Sequence, residues 1–197
     1  MKKKALLISL IALAMALCVF AGATIAYLFV NTDPVVNTFS PSNISLDLDE
    51  SENLDLQMIP GMYIKKDPKV TASADVDFYV FVKVTELNNF DNFMTYAIAS
   101  GWKLYDSGSE TIDTVANDEY VLYRELTAGK HEISILEGDK VYVPDTVLKD
   151  AMKPLYNANG TVNTDACPKL TFKAAAVQQD TLSVQQAYAQ ISTALNS

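Results

Sequence analysis

Hydrophobic and polar positions alternate with a period of two along much of this chain, the spacing of half-buried β-strands. Ile44, Leu46 and Leu48 point one way, and Ser45, Asp47 and Asp49 the other. Val35 to Phe39 and Leu54 to Met58 read as strands on the same grounds, as does Lys69 to Ala74. Asp75-Val76-Asp77 forms a polar corner before Phe78-Tyr79-Val80-Phe81-Val82-Lys83-Val84. That run is aromatic and β-branched enough for burial on both faces. Further strands are expected at Trp102 to Tyr105, Glu119 to Glu125 and Lys169 to Val177. His131 to Leu136 and Lys140 to Val143 are expected to pair as a hairpin across Glu137-Gly138-Asp139.

Helical spacing interrupts this pattern in three places. Asn89 to Ser100 carries Phe93, Tyr96 and Ile98 on one side and ends at Gly101. Pro144 to Met152 suits a short helix, and Thr181 to Leu195 a longer one with Leu182, Tyr188, Ile191 and Leu195 in register. Many short strands separated by turn signals predict a mainly β fold: an antiparallel two-sheet sandwich with short helical inserts and a C-terminal helical segment.

The N-terminus reads differently. Lys2, Lys3 and Lys4 precede an uncharged apolar run from Ala5 to about Ala23, and Ala23-Thr24-Ile25-Ala26 supplies small residues for cleavage. This is the pattern of a secretory signal peptide over residues 1–26, with cleavage between Ala26 and Tyr27. The apolar stretch continues through Val30 and is long enough to span a bilayer, so an uncleaved anchor is the alternative. A lipoprotein signal fits poorly, because bulky Leu17 precedes Cys18. The expected layout is signal 1–26, an N-terminal arm 27–42 and a β domain 43–197.

Charge and cysteine content narrow the function classes. All 24 acidic residues lie beyond the signal, against twelve basic ones, a net charge of −12. Such a chain is a poor partner for nucleic acid or anionic lipid, so membrane contact is expected only through the uncleaved signal. Cys167 remains alone after export and cannot close an internal disulfide. With one His and one Cys left, the common zinc cages are excluded. His131 sits in a strand with no partner at metal spacing, and Cys167 has no basic neighbour in sequence to activate it.

Asp47 and Asp49 share a strand face and are the calcium candidates. Their surroundings lack the glycine and terminal Glu of an EF-hand loop, and a solvated strand face accounts for them equally. No catalytic or cofactor-binding motif is present, so neither an enzymatic activity nor a cofactor is expected. The two Asn-x-Ser/Thr matches, at Asn43 and Asn159, are read as chance. The aromatic residues in the strands are read as core, with an outward-facing binding surface as the alternative.

Several segments together resemble a known family. Gly22-Ala23-Thr24-Ile25-Ala26-Tyr27-Leu28, then Thr32-Asp33 and Val36-Asn37-Thr38-Phe39, is similar to the export signals of TasA/camelysin-like proteins, which a SipW-type signal peptidase reads. Asn43 to Glu50, Ile59-Pro60-Gly61, Lys65 to Val70, the strand Phe78 to Val84, Tyr123 to Leu126 with Gly129-Lys130, and Ala174 to Gln178 continue the likeness. The N-terminal block is its specific part.

The resemblance implies a secreted jelly-roll β-sandwich of the Gram-positive cell surface or biofilm matrix. It also implies fibres, in which the N-terminal segment of one copy completes the sandwich of the next, with other matrix proteins as further partners. Strand addition satisfies the unpaired N–H and C=O groups of an exposed edge. The donor would be the arm 27–42, with Val35, Val36, Asn37, Thr38 and Phe39 as its self-association residues. Pro34 limits where ladder bonds can form. A monomeric surface adhesin or binding module is the rival expectation. Camelysin's described metalloprotease activity finds no residues here to carry it.

Overall fold

The computed structural model describes residues 43–51, 57–106, 108–112 and 118–196, all within the unit Pro41–Ser197. The signal peptide, the cleavage site at Ala26 and Tyr27, the arm with Val35 to Phe39, and most of the strand expected at Leu54 to Met58 lie outside the described residues.

The fold is mainly β, with antiparallel sheets and one C-terminal helix. Nine strands are described: β1 (Ile44–Asp49), β2 (Tyr63–Lys65), β3 (Lys69–Ala74), β4 (Phe78–Leu87), β5 (Lys103–Leu104), β6 (Glu119–Leu126), β7 (Gly129–Ser134), β8 (Lys140–Tyr142) and β9 (Lys169–Gln178). They form a three-stranded sheet in the order β1-β3-β7, a four-stranded sheet in the order β5-β6-β4-β9, and a two-stranded ribbon of β2 and β8. The corner Asp75-Val76-Asp77 carries the chain from the first sheet to the second. The Asp77 carboxylate holds it, accepting from the Ala128 amide at 2.9 Å.

One core lies between the three- and four-stranded sheets. Val70, Ala72 and Ala74 of β3 and Ile133 of β7 meet Phe78, Val80, Val82 and Val84 of β4, with Tyr120 and Leu122 of β6. Trp102 fills the space beside them, 1% exposed, and its indole N–H donates to the Ser134 carbonyl at 3.0 Å. The opposite face of β4 is buried as well, as its composition predicts. Tyr79 and Phe81 pack with Tyr123 and with Ala187, Ile191 and Leu195 of α1 (Val184–Asn196). The helix begins where Ser183 and Gln186 exchange hydrogen bonds, side chain to backbone N–H in both directions, the reciprocal arrangement of a capping box. The aromatic residues singled out in the sequence are therefore core: Phe78, Tyr79, Phe81, Trp102, Tyr120 and Tyr123 are buried, and Tyr105 and Tyr142 half-buried.

Three expectations are corrected. Asn89 to Ser100 is not an α-helix: a 3-10 turn at Phe90–Asn92 is followed by isolated bridges from Thr95 to Tyr142 and from Ile98 to Leu136. Left-handed Asn88 and Asn89 open this segment; Phe93 closes the 3-10 turn and is buried in the core, and Tyr96 and Ile98 pack against that core from the bridged stretch. Pro144 to Met152 forms successive turns, followed by a 3-10 turn at Lys153–Leu155. β7 and β8 do not pair with each other: β7 joins β3, and β8 joins β2. The 3-10 turn Glu137–Asp139 with left-handed Gly138 and Asp139 redirects the chain instead of closing a hairpin. Gly101, expected to end a helix, adopts φ +86° in a turn, and the Arg124 guanidinium occupies the space a side chain there would need.

Candidate strand-acceptor seam

β1 and β9 are the outermost described strands of their sheets, and they run beside each other with no ladder joining them. Strand alternation turns Ile44, Leu46 and Leu48 of β1 inward, and Phe172, Ala174 and Ala176 of β9 likewise. All six pack on the main core yet stay only half-buried. The result is an apolar seam between two strand edges.

A polar clasp closes one end of the seam. Both carboxylate oxygens of Glu50 accept from Lys66 Nζ, at 2.8 and 2.9 Å. The same ammonium lies 5.7 Å from the centre of the Phe172 ring. Next to it, Asp67 accepts from the Ser51 hydroxyl at 2.6 Å and the Ser51 amide at 3.1 Å, and pairs with Lys65 at 2.9 Å. The bonds from Ser51 and the Lys65 ammonium hold the Asp67 carboxyl well below the usual carboxylate range. The residues following β1 are thus tied to the segment between β2 and β3.

Lys66 lines two cavities that meet at Leu170 and Thr171. One, of about 310 Å³, reaches Leu48, Pro68 and Phe172. The other, of about 420 Å³, runs past Ile64, Phe90 and Met94 to Cys167. The seam therefore continues as apolar space beneath the first residues of β9.

Asp67→Asn is expected to lower stability at neutral pH. A carboxylate whose folded pKa is depressed contributes stability above its unfolded pKa, about 3.9, and loses it as pH falls further. The gap between wild type and variant should therefore shrink below about pH 4 in urea unfolding measured across pH.

The calcium candidates line a cavity of about 280 Å³ together with Glu50, Ser51 and Asp67 of this clasp. Asp47 lies opposite Thr71 and Asp49 opposite Lys69, on the exposed face of the three-stranded sheet. Among the described residues no group of three or more His, Cys, Asp or Glu side chains is placed to hold a metal ion. His131 Nε2 lies 2.8 Å from the Thr127 carbonyl, which fits a local turn contact. Cys167 is half-buried against the larger cavity, and its carbonyl accepts from Asn88 Nδ2 at 2.7 Å.

Sequence reasoning missed the clasp, because its partners lie sixteen residues apart in pairs that no periodicity links. It also missed a buried carboxyl, Glu86. A signal for that residue exists: Glu86 continues the inward row Phe78, Val80, Val82, Val84. No family model, curated protein or solved structure matches this chain.

Proposed function

We propose that this chain is a secreted, non-enzymatic structural protein of the bacterial cell surface or biofilm matrix, a TasA/camelysin-like jelly-roll sandwich that assembles into fibres by N-terminal strand addition. The seam is the observation that carries the reading. Among the described residues neither of these edge strands has a ladder partner on its outer side, and the inward rows of both leave apolar surface incompletely covered. An extended apolar segment would satisfy both needs at once. Val35 to Phe39 has that composition and lies a few residues ahead of β1. Signal cleavage at Ala26–Tyr27 would release it, so processing would also license assembly.

Deletion of Tyr27 to Phe39 tests the reading. The secreted chain is expected to form fibres visible by electron microscopy, and the shortened chain to stay monomeric by light scattering. Equal polymerisation of the two would rule out the arm as donor.

A second reading, a monomeric surface binding module, draws on one observation. Ile59, Met62 and Tyr63 are each at least half exposed around the Pro60-Gly61 turn, and Lys140 Nζ lies 4.2 Å from the Tyr63 ring centre. Aromatic and Met side chains of this kind are enriched at interfaces. Monomers persisting at high concentration would favour it.

A further inference from the structure

Strand alternation places Glu86 in the core-side row of β4, where its relative exposure is 6%. Its carboxylate accepts from the Tyr96 hydroxyl at 2.5 Å, and the Tyr96 and Tyr120 hydroxyls lie 2.7 Å apart. With the Tyr96 proton directed at Glu86, Tyr120 donates to Tyr96, so a chain of two hydroxyls ends on the carboxyl. Phe90 packs edge-on against Tyr96 at 5.7 Å. Opposite Glu86 in the ladder stands Leu170 of β9, and the Glu86 amide donates to the Asp118 carbonyl at 2.7 Å. The end of β4 and the Phe90–Tyr96 stretch thus meet at one carboxyl, Tyr120 of β6 reaches it through Tyr96, and the segment entering β6 is bonded to the Glu86 backbone.

The charges around it are of one sign. Asp91 from the 3-10 turn and Asp118 ahead of β6 both act on Glu86. Lys83 of β4 and Lys169 and Lys173 of β9 belong to the opposite face of their strands by alternation. Lys83 is engaged there by Glu119 at 2.8 Å and by Asn196 at 2.8 Å. None of the ion pairs among the described residues includes Glu86. Burial, then the two aspartates, push its pKa above the ordinary value against the pull of the Tyr96 hydrogen bond. Burial likewise pushes the Tyr96 and Tyr120 hydroxyls up, so both keep their protons.

We propose that Glu86, Tyr96 and Tyr120 form a proton-operated lock on the end of the four-stranded sheet. The neutral carboxyl keeps the end of β4, Tyr96 and, through Tyr96, Tyr120 of β6 packed together, and its ionisation within the core loosens the β4–β9 ladder beside it, where Thr85 faces Thr171. The sign is opposite to that of Asp67. An acid whose folded pKa is raised stabilises the fold below its unfolded pKa, about 4.3 for Glu, and that stability is lost as pH rises through the folded value. A chain exported into acidifying surroundings would be tightened there. The inference does not depend on fibre assembly.

Glu86→Gln keeps the shape and stays neutral at every pH. In thermal unfolding of the secreted chain, wild type and variant should have nearly constant relative midpoints below about pH 4. As pH rises, the midpoint of wild type should then fall relative to the variant by roughly 3 °C. Hydrogen exchange at the Thr171 amide, which faces Thr85 in the ladder next to Glu86, should accelerate with pH more in wild type than in the variant. A midpoint difference that stays constant across pH, or a wild type that gains on the variant as pH rises, would overturn the lock. Should the variant not fold, the carboxyl carbon of Glu86 in wild type decides by NMR. Titration above the ordinary glutamate value supports the proposal, and titration at or below it overturns it.

Discussion

Trp102→Ala is expected to lower the unfolding free energy by about 3–5 kcal/mol, the usual cost of truncating a buried aromatic side chain to Ala. Trp102 is 1% exposed, so little of the vacated space can be filled by solvent-side rearrangement. Its indole N–H donates to Ser134 of β7, while its chain neighbours Lys103 and Leu104 pair with β6. One residue therefore binds the edge of the four-stranded sheet to the edge of the three-stranded sheet. The substitution leaves a cavity and removes the donor from a backbone carbonyl, and the second loss adds to the first. Native domains carry about 5–15 kcal/mol of stability, so the loss is a large fraction of the total. Urea unfolding followed by circular dichroism reads this directly. A loss under about 1 kcal/mol would mean that the two sheets do not depend on Trp102 for their packing.

The second large effect concerns assembly. Leu46→Lys places a charge on the inward row of an edge strand, a device by which natural sheets block unwanted edge pairing. Leu46 is only half-buried, so the lysine stem can cover apolar surface while its ammonium reaches water. The folded domain should lose about 1–2 kcal/mol on that account, less than full burial of a leucine is worth. Fibre growth, in contrast, should stop, because an arriving apolar segment would have to bury the ammonium. Circular dichroism with light scattering separates the outcomes. A folded variant that still polymerises at the wild-type rate would remove the seam from the mechanism.

The strands were the legible part of this sequence, and for a physical reason. Alternation in β1, β6 and β9 reports local burial, and local burial is what the seam's inward rows express. The two-faced burial of β4 was legible too, since Tyr79 and Phe81 are as apolar as Phe78 and Val80. The C-terminal helix showed its spacing, while its Ser183–Gln186 cap appeared only in the structure. What failed depended on tertiary contacts. Phe93, Tyr96 and Ile98 fit a helical face, but Phe93 ends a 3-10 turn, and bridges from Thr95 to β8 and from Ile98 to Leu136 keep the chain after it out of a helix. The apparent hairpin of β7 and β8 had a good turn sequence, yet each strand found a better partner elsewhere.

The site was less legible than the fold. Its inward residues belonged to predicted strands, but nothing in the sequence placed β1 beside β9. Glu50–Lys66 and Ser51–Asp67 became partners only once the chain after β1 lay along the segment between β2 and β3. Asp47 and Asp49, chosen for their shared face, are on that face, and it is the solvated one. Glu86 was visible as a charged residue in an apolar row, a local inconsistency that sequence reading can flag without supplying its partners, Tyr96 and Tyr120.

The central claim is that the arm of one copy enters the seam of another. A cross-link in isotopically mixed fibres tests it most directly. In a Cys167→Ser background, Phe39→Cys and Ala174→Cys place one thiol on the arm and one on β9, and a disulfide requires their Cα atoms within about 7 Å. Fibres grown from equal parts of unlabelled and ¹⁵N-labelled chain, oxidised and digested, should yield disulfide-linked peptide pairs in which half carry one label on each side. Pairs in which both peptides always carry the same label would show the arm folding back on its own domain, and would contradict the account.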